Sequence, residues 1–203
     1  RRIPLGIDLD ELDGENVSPG KPGETVLCVG NIERRKRHED AIRAVAALSD
    51  EFPQLRLEIV GRVHQADYHK ELKGLIDALG LSERVRLLGV RDDVLQLMRQ
   101  ASAVMLCSES EAFGWVIVEA MAVGTPVIAS AVDGPRMIIQ GGENGLLVPV
   151  GDVDGYAEAL RRILTRPEVA KALAEEGRRT VEQRFSARAM VKQIAALYRE
   201  LVR

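Results

Sequence analysis

Apolar and polar residues follow two different patterns along the chain. Short continuous apolar runs such as Thr25–Val29 are typical of strands buried on both faces of a sheet. Between these runs, apolar residues recur at intervals of three and four, as at Ala41, Val45 and Leu48, which predicts amphipathic helices. The predicted strands are 25–29, 55–60, 85–88, 103–107, 125–129 and 145–148; the predicted helices are 37–49, 65–79, 92–100, 115–123 and one turn that begins at Pro135.

The repeated order of strand, turn and helix predicts an α/β fold, in which a parallel sheet carries helices on both faces. The carboxyl ends of parallel strands share one edge of the sheet, and ligands bind beyond that edge. Glycine or a polar loop follows most of the strands, and the candidate residues gather there in the segments Gly30-Asn31, Gly61-Arg62, 89–91, 108–114 and Asp133-Gly134. The functional site is therefore expected at this edge.

The two ends of the chain follow different patterns. After Gly151, three helical segments without a strand, 152–164, 167–184 and 186–202, predict a helical tail that packs on the sheet. Residues 10–23 are rich in glycine, proline and acidic residues, which predicts a connector.

Composition and charge narrow the possible functions. The 203 residues are 46% hydrophobic and 29% charged, with a formal net charge of −3, so no overall positive charge attracts nucleic acid or anionic lipid. No apolar run is long enough to span a membrane. Cys28 and Cys107 lie in apolar strands and are expected to be buried thiols, and the three histidines lack metal-ligand spacing. A cytoplasmic protein without a bound metal is expected.

Two glutamates with seven residues between them, Glu111 and Glu119, flank the predicted start of a helix near Gly114. A helix N-terminus offers unpaired N–H groups and a partial positive charge, which favour phosphate, whereas carboxylates accept hydrogen bonds from sugar hydroxyls. This arrangement predicts a nucleoside diphosphate sugar as ligand. Two alternatives stay open from the residues alone: Glu119 faces solvent, and Glu111 belongs to a surface acidic loop with Glu109.

A basic run, residues 34–38, lies between the first strand and the first helix. Such runs are usually solvated surface, but this one lies at the predicted ligand edge, so we expect at least one phosphate contact from it, with Lys36 favoured. An RNA-binding patch is the weaker interpretation, because no aromatic residues interleave with the basic ones.

The segment EAFGWVIVEAMAVGTPVIAS, residues 111–130, resembles the signature of family-4 retaining glycosyltransferases of the GT-B fold, in which two glutamates separated by seven residues surround Phe-Gly. Further landmarks of that family's nucleotide-sugar-binding domain follow in the same order. They are IPLGID at 3–8, Val29-Gly30 before Lys36, LEIVG at 57–61, LLG at 87–89, DGP at 133–135 and NGLLV at 144–148. The resemblance covers nearly the whole chain and implies a Rossmann-like sheet that is one half of a GT-B fold, followed by C-terminal helices.

The resemblance also implies roles for individual residues. Glu111 would contact the donor sugar, Lys36 and the backbone at Val116 and Ile117 would hold the diphosphate, and Glu119 would bind the ribose. Glu111 and Lys36 are the implied catalytic residues. The implied donor-binding residues are Gly30, Asn31, Arg35, Lys36, Arg37, Gly61, Arg62, Val90, Arg91, Glu111, Ala112, Phe113, Gly114, Trp115, Val116, Ile117 and Glu119. The implied donor is a UDP-sugar or a GDP-sugar, and no metal or other cofactor is expected.

Three positions depart from the family pattern. Asn31 stands where an arginine is usual, which removes one expected phosphate cation, and Arg35 or Arg37 is expected to compensate. Arg37 itself replaces a glycine, and Met137 replaces a glutamate; the sequence does not show what the change at 137 does.

The resemblance implies that this chain is half of an enzyme. Residues 1–23 would be the remnant of an interdomain linker, 24–185 the donor-binding domain and 186–203 a helix that crosses back to an absent N-terminal acceptor-binding domain. The isolated chain would then bind the donor but transfer poorly or not at all. Membrane contact, at the inner face, would come only through the absent domain. The alternatives are a stand-alone nucleotide-sugar-binding module, and a related epimerase or phosphorylase whose additional catalytic residues are not evident.

Overall fold

The computed structural model describes residues 4–13 and 25–201. Six strands form one parallel sheet in the order β3-β2-β1-β4-β5-β6. The strands are β1 (Thr25–Val29), β2 (Arg56–Val60), β3 (Val85–Gly89), β4 (Ala103–Leu106), β5 (Val127–Ser130) and β6 (Leu146–Val148). The expected α/β fold with a Rossmann-like parallel sheet is confirmed.

Nine α-helices are present in the described residues. They are α1 (Leu9–Asp13), α2 (His38–Ala47), α3 (Ala66–Ala78), α4 (Val94–Gln100), α5 (Trp115–Ala122), α6 (Asp133–Ile138), α7 (Val153–Thr165), α8 (Pro167–Thr180) and α9 (Ala187–Leu201). A 3₁₀ turn at Arg34–Lys36 precedes α2, and a π-helical turn at Val181–Phe185 follows α8.

The helices bury both faces of the sheet, as the alternation along β1 illustrates. Val26 and Cys28 belong to one apolar cluster with α2, α3 and α7, whereas Leu27 belongs to a second cluster with α4 and α5. Successive side chains of a strand point to opposite faces, so a sheet covered on both sides needs this continuous apolar run. Cys28 and Cys107 are buried free thiols, as expected, and burial raises the pKa of Cys28 to about 12.

The structure corrects three predicted boundaries. Part of the expected connector is helix α1, because Leu9 and Leu12, three residues apart, both pack against the second apolar cluster. The rest of that connector, residues 14–23, lies outside the described part of the chain. The helix expected from Arg37 begins at His38, since Arg37 has a left-handed φ of 48°. The helix expected to run to 184 is α-helical only to Thr180 and then becomes the π-helical turn.

Candidate functional site

The strand order reverses between β1 and β4, and the loops that follow these two strands meet at that point. Lys36, from the loop after β1, places its Nζ 2.6 Å from the Glu111 Oε2 in the loop after β4. Both side chains are mostly buried, with 12% and 15% exposed. In open parallel sheets the crevice at such a reversal is the usual ligand site. The two residues implied to be catalytic are therefore in direct contact at the expected edge.

Backbone contacts lock the two loops together. The Glu109 N–H donates to the Arg35 carbonyl at 2.8 Å, and the Arg35 guanidinium donates to the Ser110 carbonyl at 2.7 Å. Arg35 also forms an ion pair with Glu33 at 2.7 Å. Arg35 is therefore part of the scaffold that holds Glu111 beside Lys36.

Two glycines permit close backbone contacts around this pair. A Cβ at Gly134 would lie 2.4 Å from the carbonyl oxygen of Glu111, and the Gly134 N–H donates to that oxygen at 3.0 Å. A Cβ at Gly61 would lie 1.9 Å from the carbonyl oxygen of Gly30. Real Cβ atoms do not approach so closely, so both positions require glycine for the observed packing.

Helix α5 begins directly after the Glu111 loop. Gly114, with a left-handed φ of 95°, is its N-cap residue, and no side chain in the described ranges caps this end. The first turn carries no acidic residue. An uncapped helix N-terminus offers N–H groups and a partial positive charge, which suit an anion.

Glu119 lies one turn into α5 and is half-buried. Burial raises the pKa of its carboxyl group, and no side-chain hydrogen bond or ion pair to another described residue offsets that cost. Partly buried carboxylates without partners are unfavourable. The alternative in which Glu119 simply faces solvent therefore fits less well than a carboxylate positioned for a ligand.

Two recesses lie on either side of the Lys36–Glu111 pair. The smaller, of ≈ 440 Å³, lies between the loops after β1, β2 and β3, and its lining includes Gly30, Asn31, Gly61, Arg62, Val90 and Arg91. The larger, of ≈ 1020 Å³, lies between the loops after β4 and β5, and its lining includes Arg35, Glu111, Ala112, Asp133, Arg136 and Met137. A Cβ added at Gly30 would lie 3.4–3.7 Å from the methylenes of Lys36, so the Lys36 side chain passes beside Gly30 at the edge of the smaller recess.

Several expected donor-binding residues also contact other side chains of this chain. The Arg37 guanidinium donates to the buried Asp40 at 2.7 and 3.0 Å, and Arg91 forms an ion pair with Asp93 at 2.6 Å. Phe113 packs edge-on against Trp115 and Phe185, with ring centroids 5.2 and 5.7 Å apart. The compensation for Asn31 by Arg35 or Arg37 stays a prediction, and each guanidinium forms an ion pair with an acidic side chain in this structure.

Two residues that line the recesses were not proposed as site residues from the sequence. Arg136 lines the larger recess, beside Asp133 and Met137, and His64 lines the smaller one. The DGP segment at 133–135 was a landmark of the family resemblance, but its contact with the Glu111 backbone depends on how β4 and β5 pair.

His38, at the start of α2, has a structural contact. It is buried, its Nε2 lies 3.1 Å from the Asn31 carbonyl oxygen, and burial lowers its pKa to about 4.

Within residues 4–13 and 25–201, no helix is long and apolar enough to cross a membrane. Within the same ranges, no three His, Cys, Asp or Glu side chains come together as a potential metal-binding group.

Comparison with protein families gives a match over residues 11–180, to the model for "Glycosyl transferases group 1". The lipopolysaccharide core biosynthesis glycosyltransferase LpsE of Rhizobium meliloti (strain 1021) is 33% identical over 186 residues, which are 92% of this chain and 51% of that protein. The phosphatidyl-myo-inositol mannosyltransferase of Mycobacterium leprae (strain TN) is 34% identical over 202 residues, 97% of this chain and 52% of that protein. The chain thus spans about half the length of these relatives.

Solved structures agree with the sequence matches. Anabaena Alr3699/HepE in complex with UDP and glucose superposes with a TM-score of 0.84 at 28% identity, over 96% of this chain and 55% of that one. The same protein has also been solved with UDP-glucose, with a TM-score of 0.83.

Proposed function

The chain belongs to the glycosyl transferases group 1 family, and on that premise we propose that it is the donor-binding half of a retaining glycosyltransferase. Its donor would be a nucleoside diphosphate sugar with UDP or GDP as the nucleotide. The observation that carries the proposal is the Lys36–Glu111 pair between the two recesses. It places a cation suited to phosphate beside a carboxylate that can accept hydrogen bonds from sugar hydroxyls. A ligand with a diphosphate at its centre fits this order of groups.

Each part of the donor has a matching environment in the proposal. The nucleoside would occupy the smaller recess, near Val90 and Arg91, and the Glu119 carboxylate would accept hydrogen bonds from the ribose. The diphosphate would lie between Lys36 and the N-terminus of α5, at Val116 and Ile117. The sugar would enter the larger recess against Glu111 and the backbone of 112–114.

The proposed chemistry depends on stabilising the leaving group. When the bond between the anomeric carbon and the phosphate oxygen breaks, the electron pair stays with the phosphate. Lys36 and the positive end of α5 would face that developing charge, and preorganised groups of this kind lower the barrier. Lys36 would exchange its contact with Glu111 for the phosphate, leaving the Glu111 carboxylate to the sugar hydroxyls. Retention at the anomeric carbon, and a reaction that needs no metal, are taken from the family resemblance.

The comparisons support the ligand class without specifying the sugar. HepE, at 28% identity, binds UDP and UDP-glucose, whereas the M. leprae relative is named for mannose transfer. The proposed donor is therefore a nucleoside diphosphate sugar whose sugar is not specified.

The acceptor side is proposed to come from a second domain outside this chain. The α9 helix has no buried side chain among the described residues, and it exposes Val191, Ile194, Tyr198 and Leu201 at roughly helical spacing. Backbone bonds from Ile7 to Phe185 and from Ala187 to Ile7, both 2.8 Å, hold the start of the chain beside α9. The segments around Ile7 and in α9 would thus be the two crossings to the acceptor domain, and this chain alone would bind donor without efficient transfer. The whole enzyme would work in the cytoplasm, with any membrane contact made by the second domain.

Lys36→Met tests the proposal, because this change removes the ammonium group but keeps the methylenes that lie over Gly30. We expect the dissociation constants for UDP and GDP to rise about 10- to 100-fold, the range for one charged hydrogen bond. Lys73→Met, on the exposed face of α3, is the matched control and should leave binding unchanged. Equal binding by both variants and the parent in a calorimetric titration would remove Lys36 from the site.

A further inference from the structure

Almost every basic side chain at the ligand edge already forms an ion pair or a hydrogen bond within the chain. Ion pairs join Arg34 to Glu71, Arg35 to Glu33, Lys36 to Glu111, Arg37 to Asp40 and Arg91 to Asp93, at 2.5–2.7 Å. Arg136 donates to the Ala131 carbonyl at 2.8 Å. Arg62 differs: of the described arginines and lysines that line the two recesses, it is the one whose side chain has no hydrogen bond or ion pair.

The register of β1 and β2 fixes where Arg62 lies. Val29 pairs with Val60, and beyond the strands Ile32 pairs with Val63, so the offset of 31 residues is kept across the intervening segment. The Gly30 N–H donates to the Val60 carbonyl at 2.9 Å, and the Ile32 N–H donates to the Arg62 carbonyl at 2.8 Å. Arg62 therefore stands opposite Asn31, about one strand spacing of 4.8 Å away.

Arg62 is also close to the Lys36 side of the site. Gly61, its neighbour, packs against the Gly30 carbonyl oxygen. The Lys36 methylenes lie 3.4–3.7 Å from the point where a Cβ of residue 30 would be. The segment that carries Arg62 thus abuts the residue over which Lys36 extends towards Glu111. An arginine at 62 is long and flexible enough to turn its guanidinium towards the same ligand group as Lys36.

We propose that Arg62 is the second cation for the donor diphosphate, acting beside Lys36 from the loop after β2. This inference rests on the proposed function, and it specifies which charged group completes the site. A guanidinium matches phosphate oxygens in a bidentate geometry that an ammonium group lacks. Arg62 carries no acidic partner that must first be displaced, so its charge is available to an incoming anion.

The test compares Arg62→Ala with the parent 203-residue chain by calorimetric titration. The probes are UDP, GDP and ADP, followed by the nucleoside of whichever diphosphate binds tightest. We expect Arg62→Ala to weaken diphosphate binding about 10-fold or more while changing nucleoside binding less than about twofold, because one charged hydrogen bond is lost only from the phosphate. Arg56→Ala, at the opposite end of the same strand, is the matched control and should bind like the parent.

A second variant tests the geometry directly. Since Asn31 and Arg62 stand opposite each other, Asn31→Arg placed on Arg62→Ala should restore most of the lost diphosphate affinity. Diphosphate binding by Arg62→Ala that equals the parent would overturn the proposal. Equal losses for nucleoside and diphosphate would also overturn it, since Arg62 would then contact the base. If the folded parent binds no nucleotide, the proposed function fails first and this inference fails with it.

Discussion

At the residue scale, the two charged groups at the centre of the site hold each other, because the Lys36 ammonium lies 2.6 Å from the Glu111 carboxylate. Both residues were expected in one donor site. Arg37 was also expected near the donor, and its guanidinium contacts Asp40, which is 2% exposed. An aspartate in the first turn of an amphipathic helix looks solvated from the sequence. Its burial depends on how α2 packs against α7, which periodicity does not specify.

The left-handed backbone at residue 37 explains why glycine is usual there in the family. Arg37 has φ 48° and ψ 46°, a conformation that costs a residue with a Cβ about 1–2 kcal/mol. The two hydrogen bonds to Asp40 offset this cost. The departure at 37 is therefore compensated within the fold, and the departure at 31 is compensated, in our proposal, by Arg62.

Glu111→Ala should separate sugar binding from nucleotide binding. Because the carboxylate would contact only the sugar, and its removal frees Lys36 for the phosphate, the affinity for the free nucleoside diphosphate should not fall. The intact sugar nucleotide should bind about 10-fold more weakly, since it loses the contact with the carboxylate. Parallel titrations of both ligands make the comparison, with Glu143→Ala on the exposed loop before β6 as control. A loss of the same size for both ligands would contradict a sugar-side role.

His38 predicts a pH dependence of stability. Burial lowers its pKa to about 4, so the folded state resists a proton that the unfolded chain accepts near pH 6.5. Stability from this residue is therefore lost as the pH falls from about 6.5 to about 4, by up to about 3 kcal/mol.

Denaturant unfolding of the parent and of His38→Gln at pH 7 and pH 4 measures this dependence. The unfolding free energy of the parent should fall more than that of the variant over this interval. An identical fall in both proteins would mean that His38 accepts a proton in the folded state as readily as in the unfolded chain.

At the element scale, the positions of strands and helices could be predicted, but several ends could not. The sheet strand expected from Thr125 begins at Val127: the Thr125 hydroxyl donates to the Met98 carbonyl, and Pro126 has no N–H for the ladder. The π-helical turn at Val181–Phe185 had no signal in the periodicity. Such ends depend on side-chain contacts between elements far apart in sequence.

The contact between α6 and the Glu111 loop should not tolerate a methyl group. Gly134→Ala would place a Cβ against the backbone of Glu111 and Phe113, so the loop must shift. We expect weaker sugar-nucleotide binding and a free energy of unfolding lower by about 1–3 kcal/mol, as for other overpacked sites.

Gly74→Ala is the matched control for this substitution. Its Cβ would meet no atom within 4 Å, and alanine in the middle of α3 should stabilise the chain by about 0.5–1 kcal/mol. Thermal unfolding and donor titration of both variants measure the effects. Gly134→Ala with the stability and affinity of the parent would show that the two loops are not coupled through this contact.

At the scale of the whole molecule, the sequence predicted a parallel α/β sheet, but the alternation of strands does not determine the strand order. The order places the ends of β1 and β4 side by side, and this pairing brings Lys36 to Glu111 across 75 residues. The family resemblance implied that Lys36 and Glu111 share one donor site, without giving the strand order. The two recesses, and the separation of the basic side chains into paired and unpaired ones, follow from the packed loops and became visible only in the structure.

The most direct measurement is a calorimetric titration of the 203-residue chain with UDP, GDP and ADP, followed by the sugar nucleotides of whichever one binds. Our account predicts selective binding of UDP or GDP and tighter binding of its sugar nucleotide, because Glu111 and the larger recess add contacts to the sugar. A chain that is folded by circular dichroism and binds none of these ligands would contradict the assignment of this site to a nucleoside diphosphate sugar.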